Sequence, residues 1–387
     1  MALLDMESFC GSTLITNFGG NNPNRRYHNP TWCTIQSAIG PRSAPGMRIA
    51  FDGITFGVGS WGLSTGAASG IGPLASGGVL GARMSFSSAS SGQYGAITLS
   101  NSDATAAECT INRASDGTLN LRRGDGTGTI VASSAAGAIP ADTFGFLEWK
   151  WNGIGTSQTV SVRWNGVVIL SASAVNIQGG TGTHTVGSVR WYGRCDTQDV
   201  YLLDLAGSAP FNDFLGDHQV LGWLPTAAAA TAWTPATSTN LSQINVGGAA
   251  RPAAPSHNKA ASADLEDRFT FTPGLAGNRI VRALQTRICA LDTVSSGATM
   301  AGRIKSGGTT QSGATATPPI TTPIYQADIW LTDPNTGNAW LPAAANAVEV
   351  GYRTIAVTSG EARACQVLLE ALVSSTRRGP PAAMIIS

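Results

Sequence analysis

Charge is what this 387-residue chain has least of: 12% of its residues are Asp, Glu, Lys or Arg, about half the usual share of a soluble domain. The net charge is +1, which supplies neither a basic face for nucleic acid nor an acidic face for a basic partner. Lysine is almost missing, with only Lys150, Lys259 and Lys305. No run of about 18 apolar residues is present, so no membrane-spanning helix is expected. The opening MALLDMESFCG has an acidic fifth residue and no basic stretch before an apolar core, so it does not read as a signal peptide, and folding in a cytoplasm is expected. Cys10, Cys33, Cys109, Cys195, Cys289 and Cys365 show no CxxC and no close spacing, which argues against a zinc knuckle or disulfide framework and leaves buried free thiols. His28, His184, His218 and His257 stand far apart, without the HxxxH or HExxH spacing of a zinc site. A surface this neutral does not rely on its own charge for solubility, and cover by other subunits is the expectation.

What is present is a β pattern. Turn signals recur about every ten residues, separated by short segments rich in Val, Ile, Thr, Phe and Trp. In GFLEWKWNGIGTSQTVSVRWNGVVIL, Leu147, Trp149 and Trp151 alternate with Phe146, Glu148 and Lys150, and Val160, Val162 and Trp164 alternate with Ser161 and Arg163. Period two means strands with a buried face. Asn165 and Gly166 supply the left-handed residues of a tight hairpin. Asp116-Gly117 and Asp125-Gly126 mark similar turns upstream. After Leu224 an Ala-, Pro- and Ser-rich stretch reads as a connection, and strand-like segments then resume. EARACQVLLEALVSS fits either a strand or a helical face, and the strand is preferred. The expected fold is all-β: a sandwich to about Gly222, a connection over 223–260 and a second β-rich domain over 261–387.

The motif matches carry little chemistry. GVGSWG, from Gly57 to Gly62, fits GxGxxG but lacks the strand-to-helix context of a dinucleotide site. GLSTG around Ser64 fits GxSxG without a following helix. Arg123-Gly124-Asp125 is the tripeptide adhesion receptors read, and a hairpin turn accounts for it equally well. Glycoside hydrolysis needs two carboxylates about 5 to 9.5 Å apart. No tight acidic cluster supplies them, and Glu148 reads as a solvated position. No catalytic, cofactor-binding or metal-binding residues are therefore assigned, and no enzyme is expected.

Asp199, Asp204, Asp213, Asp217 and His218 gather in DVYLLDLAGSAPFNDFLGDHQVLGW. Val200 to Leu203 is an apolar run suited to a strand buried on both faces. Asp199 and Asp204 bracket it, while Asn212 and Asp213 are Asx-turn residues. Two readings stand. The block is an anchored exit from the first domain, or Asp196, Asp199 and nearby carbonyls supply part of the roughly six to eight oxygens of a Ca²⁺ site.

The order of Asp199, Tyr201, Asp204, Gly207, Asn212, Asp213, Phe214, Leu215, Gly216 and Asp217, followed by Pro225-Thr226 and Trp233-Thr234-Pro235, resembles the concanavalin-like or laminin-G-like jelly roll in structural proteins of tailed bacteriophages. TDPNTGNAW and VEVGYRT resemble the downstream module of the same proteins. Gln198 stands where an acidic residue commonly precedes the matching Asp199. The resemblance implies a non-enzymatic virion component, tail- or fibre-associated or on the head. It would be assembled in a host bacterial cytoplasm, with other virion proteins as partners. Homo-oligomers are expected, trimers by analogy. The second half would make most subunit contacts while the jelly roll projects outward. The alternative is a carbohydrate-binding receptor module in which Trp61, Trp191, Tyr192 or Trp223 stack on host surface glycans.

Overall fold

The computed structural model describes residues 3–7, 27–28, 33–39, 44–49, 58–62, 74–88, 96–101, 106–179, 184–193, 195–244, 256–294, 297–320 and 324–374. The chain opens with β1 (Leu3–Glu7), β2 (Tyr27–His28), β3 (Cys33–Ile39), β4 (Ala44–Ile49) and β5 (Val58–Gly62). Next come β6 (Gly78–Phe86), β7 (Ala96–Ser100), β8 (Ala107–Arg113), β9 (Leu119–Arg123) and β10 (Ile130–Ser133). β11 (Gly145–Trp151), β12 (Gln158–Trp164), β13 (Val167–Val175), β14 (Ser188–Tyr192) and β15 (Cys195–Asp204) complete a first sandwich. One sheet runs β13-β12-β11-β6-β15-β4-β3 with β1 beside β15, and the other β10-β9-β8-β7-β14-β5-β2. All of the pairings are antiparallel, as expected of a jelly roll.

Period two decides the packing here. Leu147, Trp149, Trp151, Val160, Val162 and Trp164 all enter the core between the two sheets. Asn165 and Gly166 have φ of 52° and 83°, the twisted turn that a two-residue hairpin needs. The Asn165 side chain accepts the Phe146 N–H at 2.8 Å, which fixes the register of the β11–β12–β13 meander. Asp116 and Asp125 cap their turns by accepting the N–H two residues on, from Thr118 at 2.9 Å and Thr127 at 2.8 Å. Cys109, Cys195, Cys289 and Cys365 are buried and free of disulfides, and burial pushes the Cys109 thiol far above its usual range.

The second sandwich begins earlier than the composition suggests. β16 (His218–Trp223), β17 (Ala227–Thr231), β18 (Thr234–Pro235), α1 (Asn240–Ile244) and β19 (Asn258–Ala260) precede β20 (Glu266–Thr270) and β21 (Val281–Asp292). β22 (Ala298–Ser306), β23 (Thr309–Ala316), β24 (Ile324–Trp330), α2 (Pro342–Asn346), β25 (Glu349–Val357) and β26 (Ala362–Ser374) follow. Its sheets run β18-β19-β26-β21-β24, with β16 beside β26, and β17-β20-β25-β22-β23. The ambiguous segment ending at Ser374 is a strand, because its alternate residues Val367, Leu369, Ala371 and Val373 fill the second core.

Two boundaries are thereby corrected. β16 was expected at the end of the first domain, but residue by residue it pairs with Leu369–Ser374 of β26. The stretch 223–260, expected as a connection, supplies β17, β18, α1 and β19 to the second sandwich. The physical reason is Asp267. Its Oδ1 accepts the N–H groups of Ala232 and Trp233 at 2.8 and 2.9 Å. Its Oδ2 accepts the Asn240 and Asn258 side-chain amides at 2.8 and 3.2 Å and the Tyr352 hydroxyl at 3.0 Å. One buried carboxylate thus anchors an Ala-rich chain that has little apolar surface of its own, and Trp233 lies edge-on to Tyr352 with ring centroids 4.6 Å apart.

Charge is gathered rather than spread in this half. On the five-stranded sheet Arg268 meets Glu266 and Glu349 at 3.1 and 3.3 Å, Arg303 meets Glu266 at 2.7 Å and Lys305 meets Glu349 at 2.8 Å. Among the described residues no helix is long and apolar enough to cross a membrane.

Candidate functional site: the joint between the sandwiches

The outer face of the β6–β11–β15 region packs on the second sandwich, and its chemistry follows from the strand register. Glu148 of β11 and Tyr201 of β15 are both register partners of Gly81 on the strand between them. A Cβ on Gly81 would lie 2.2 Å from the Tyr201 ring, so only glycine lets the ring lie across β6. The Tyr201 hydroxyl then donates to Glu148 Oε1 at 2.7 Å. The Gly216 N–H donates to the same oxygen at 2.8 Å, and the φ of 82° at Gly216 is the turn that aims it there. Glu148 is only 1% exposed, which corrects its reading as a solvated position. Burial raises its pKa above the usual carboxylate range, against the pull of its two donors. Burial likewise raises the Tyr201 hydroxyl, with Glu148 adding to the effect.

Asp199 does not sit at a strand end. It lies inside β15, at an irregularity where Gln198 pairs with Arg83 but Tyr201 pairs with Gly81. Its φ is 52°, as at a bulge that re-aims a side chain. One oxygen accepts the Val220 N–H of β16 at 3.1 Å, and the other lies 3.4 Å from Arg83 Nε. Arg83 also pairs with Asp217. The buried guanidinium therefore holds both ends of the acidic block, and Asp199 is spent on the first strand of the second sandwich.

The remainder of the block lies over the same face. Asp204 accepts the Ala206 N–H at 2.9 Å and closes a turn. Phe211 is buried, and Phe214 and Leu215 pack on the same cluster. The Arg163 guanidinium stands 4.0 Å from the Phe214 ring centroid. Lys150 meets Asp213 at 2.8 Å, and Asn212 beside it is half-buried. His218 Nδ1 is 3.1 Å from the Gly216 carbonyl oxygen and its Nε2 3.4 Å from Arg282 Nε. Burial depresses its pKa, and Arg282 lowers it further. Arg83 is the residue that sequence reasoning missed. Its signal was a charge inside GVLGARMSF, where Leu80, Ala82, Met84 and Phe86 alternate into the core.

β1 completes the joint. It pairs with β15, while Leu3 and Met6 join Val79, Phe146, Tyr201 and Leu203 in a third apolar cluster that includes Val220, Ala283 and Leu372 of the second sandwich. Gln285 accepts the Met6 N–H at 3.2 Å and donates to the Met6 carbonyl at 3.1 Å. Arg287 donates to the same carbonyl and pairs with Glu370 at 2.7 Å.

Of the expected sugar-stacking residues, the two whose side chains are described, Trp191 and Trp223, lie against different cores. Trp191 is 1% exposed and sits in the first core, because it alternates inward with Val189. Trp223 is half-buried against the second core. The side chains of Trp61 and Tyr192 lie outside the described residues. The seven-stranded sheet does carry a polar outer face of Thr98, Ser100, Thr110, Asn112, Asn120 and Ser188, but all six are buried. Thr98 and Thr110 bond each other at 2.7 Å, and Arg122 donates to Asn112 at 2.8 Å. Among the described residues no group of three or more His, Cys, Asp or Glu is placed to hold a metal ion.

No family model matches the chain, and no curated protein matches it. Among solved structures, a protein of unknown function with a galectin-like fold from Bacillus subtilis is 12% identical, with 53% of this chain and 98% of that chain covered and a TM-score of 0.30. The carbohydrate-binding module CBM66 from Bacillus subtilis is 14% identical, covering 45% of this chain and 92% of that one at a TM-score of 0.26. Alginate lyase Aly36B is 10% identical, with 41% and 80% covered and a TM-score of 0.29. Similarity this low carries no inference about ligand or activity.

Proposed function

We propose that this chain is a non-catalytic structural subunit of a tailed-phage particle, associated with the tail or a fibre, in which two β-sandwiches act as one stiff body. The observation that carries the reading is the use made of the Asp199–Asp217 block. The residues on which the phage resemblance rests bond to Arg83, Glu148, Lys150 and the first strand of the second sandwich. Each of these carboxylates is engaged by a cation or a backbone N–H, which supports a structural use of the block. Inter-domain faces are ordinarily small and mobile. Here an apolar cluster drawn from both halves, the Asp199 bond to the Val220 N–H and the grip of Gln285 and Arg287 on Met6 of β1 hold the two halves together.

Mass spectrometry of purified particles tests the proposal, with the chain expected as a stoichiometric component. Absence from particles overturns it. A glycan array run on the whole chain separates the alternative, since specific, saturable glycan binding would make the jelly roll a receptor-recognition module.

A further inference from the structure

A chain of hydrogen bonds crosses the joint from one sandwich to the other. On the first side, the Tyr201 hydroxyl of β15 and the Gly216 N–H both donate to Glu148 Oε1 of β11. Gly216 carries the chain onward, because its carbonyl oxygen lies 3.1 Å from His218 Nδ1. His218 opens β16 of the second sandwich, and its Nε2 lies 3.4 Å from Arg282 Nε on β21. The residue is buried, and its ring stands edge-on to Tyr201 of the first sandwich with centroids 6.4 Å apart.

These two partners fix the state of the ring. A carbonyl oxygen only accepts, so Nδ1 carries the hydrogen. An arginine Nε only donates, so Nε2 offers its lone pair. His218 is therefore held as the neutral Nδ1–H tautomer, with the hydrogen bond at one nitrogen setting the role of the other. A second proton, placed on Nε2, meets a donor instead of an acceptor. Among the described residues no carboxylate pairs with Arg282, so its charge faces the ring unneutralised.

We propose that His218 is a proton-sensitive latch between the two sandwiches: a proton on Nε2 replaces the hydrogen bond from Arg282 with two facing donors and two facing cations, and the joint loosens. The other charged groups nearby are already engaged. Asp217, which favours the imidazolium, pairs with Arg83 of β6, and Asp199 of β15 binds Arg83 and the Val220 N–H. Glu370 of β26 turns to Arg287, and Arg279 binds Gln219 and the Ser374 carbonyl. Burial keeps Tyr201 protonated. For His218 itself, burial depresses the pKa and Arg282 adds to the effect, against the pull of the Gly216 carbonyl and Asp217. Its folded pKa thus lies below the ordinary 6.5. The latch is closed above that value, and its contribution is lost progressively as pH falls below it. Glu148 works in the opposite sense, since burial raises its pKa, so the effect of His218 is read by substitution.

The test is NMR on the whole isotope-labelled chain. At neutral pH the His218 ring is expected as the Nδ1–H tautomer, and finding the Nε2–H tautomer overturns the proposal. Amide exchange, corrected for its intrinsic pH dependence, is then compared at about pH 7.5 and about pH 5. The Gly216 and Val220 N–H groups, which bond to carboxylates of the first sandwich, are expected to lose protection in acid. Trp149 and Val350, on strands paired from both sides in either sandwich, are expected to keep theirs. Uniform loss along the chain overturns the latch in favour of a global effect. In His218→Gln the joint amides are expected to be equally protected at both pH values, and a selective acid loss that persists there overturns the role of His218. Should His218→Gln fail to fold, Arg282→Met removes the facing donor and its charge, and the His218 ring is expected to titrate at higher pH than in wild type. An unchanged midpoint overturns the assigned partner.

Discussion

Tyr201 hydrogen-bonds Glu148 across an intervening strand, at 2.7 Å, because the residue between them in the register is Gly81. That relationship turns a glycine in one strand and a carboxylate in another into parts of one joint. It also makes the joint separable into individual contributions.

Tyr201→Phe removes one of the two donors to a buried carboxylate and is expected to cost about 1–3 kcal/mol. Gly81→Ala places a methyl group 2.2 Å from the ring and is expected to cost a similar 1–3 kcal/mol through overpacking. Urea denaturation measures both. The double variant should lose less than the sum of the single losses, because each change disturbs the same contact. Strict additivity would place the two residues in independent roles.

A chelator should leave the melting temperature unchanged, since the oxygens of Asp199 and Asp217 are taken up by Arg83 and a strand N–H. Calorimetry in EDTA and in excess Ca²⁺ checks this. A fall of many degrees in EDTA that Ca²⁺ reverses would mean that a cation binds the native state.

His218 gives the joint its acid limit. Burial depresses its pKa below the ordinary imidazole value of 6.5, so the unfolded chain takes up a proton that the folded chain resists. Stability present above about pH 6.5 is lost progressively as pH falls below it. His218→Gln should flatten that limb of the stability profile, measured by urea midpoints between about pH 7.5 and 5. An unchanged profile would assign the acid limit elsewhere.

The strands were legible because period two is a local property, and Trp149, Trp151 and Trp164 point where their alternation says. The joint was legible only in part. Asp199 and Asp217 stood out as charges in a chain with few, but their partner Arg83 lies more than a hundred residues upstream, and no local pattern links them. Glu148 was misread because alternation separates the two faces of a strand without saying that the outer one meets another domain. The segment 223–260 was misread for the converse reason. Its alanines bury little, and its order derives from Asp267, a single residue outside it.

Trp164 is 6% exposed and packs 6.3 Å from the Phe86 ring centroid in the first core. Trp164→Ala should therefore destabilise by roughly 3–5 kcal/mol. The urea midpoint measures the loss, and a value near that of wild type would mean that the ring is not part of the packed core.

The last prediction concerns cooperativity. Arg287 and Glu370 are 4% and 0% exposed, and their ion pair at 2.7 Å lies under the Met6 carbonyl that Arg287 also binds. Removing one member of such a pair costs about 3–5 kcal/mol, because a charge is left buried without its counter-charge. Glu370→Ala is expected to show that loss and also to free β1, since Gln285, which grips Met6, donates to Glu370 at 2.9 Å. Wild type should unfold in one calorimetric transition, because the third apolar cluster draws on both halves and β1, paired with β15, is held at Met6 by Gln285 and Arg287 of the second sandwich. Glu370→Ala and a chain lacking residues 1–7 should both unfold in two. The truncated chain keeps the ion pair and loses only the strand, so it distinguishes coupling through β1 from a general loss of stability. Two transitions in the wild type, or one in both variants, would show that the sandwiches are not coupled through this strand.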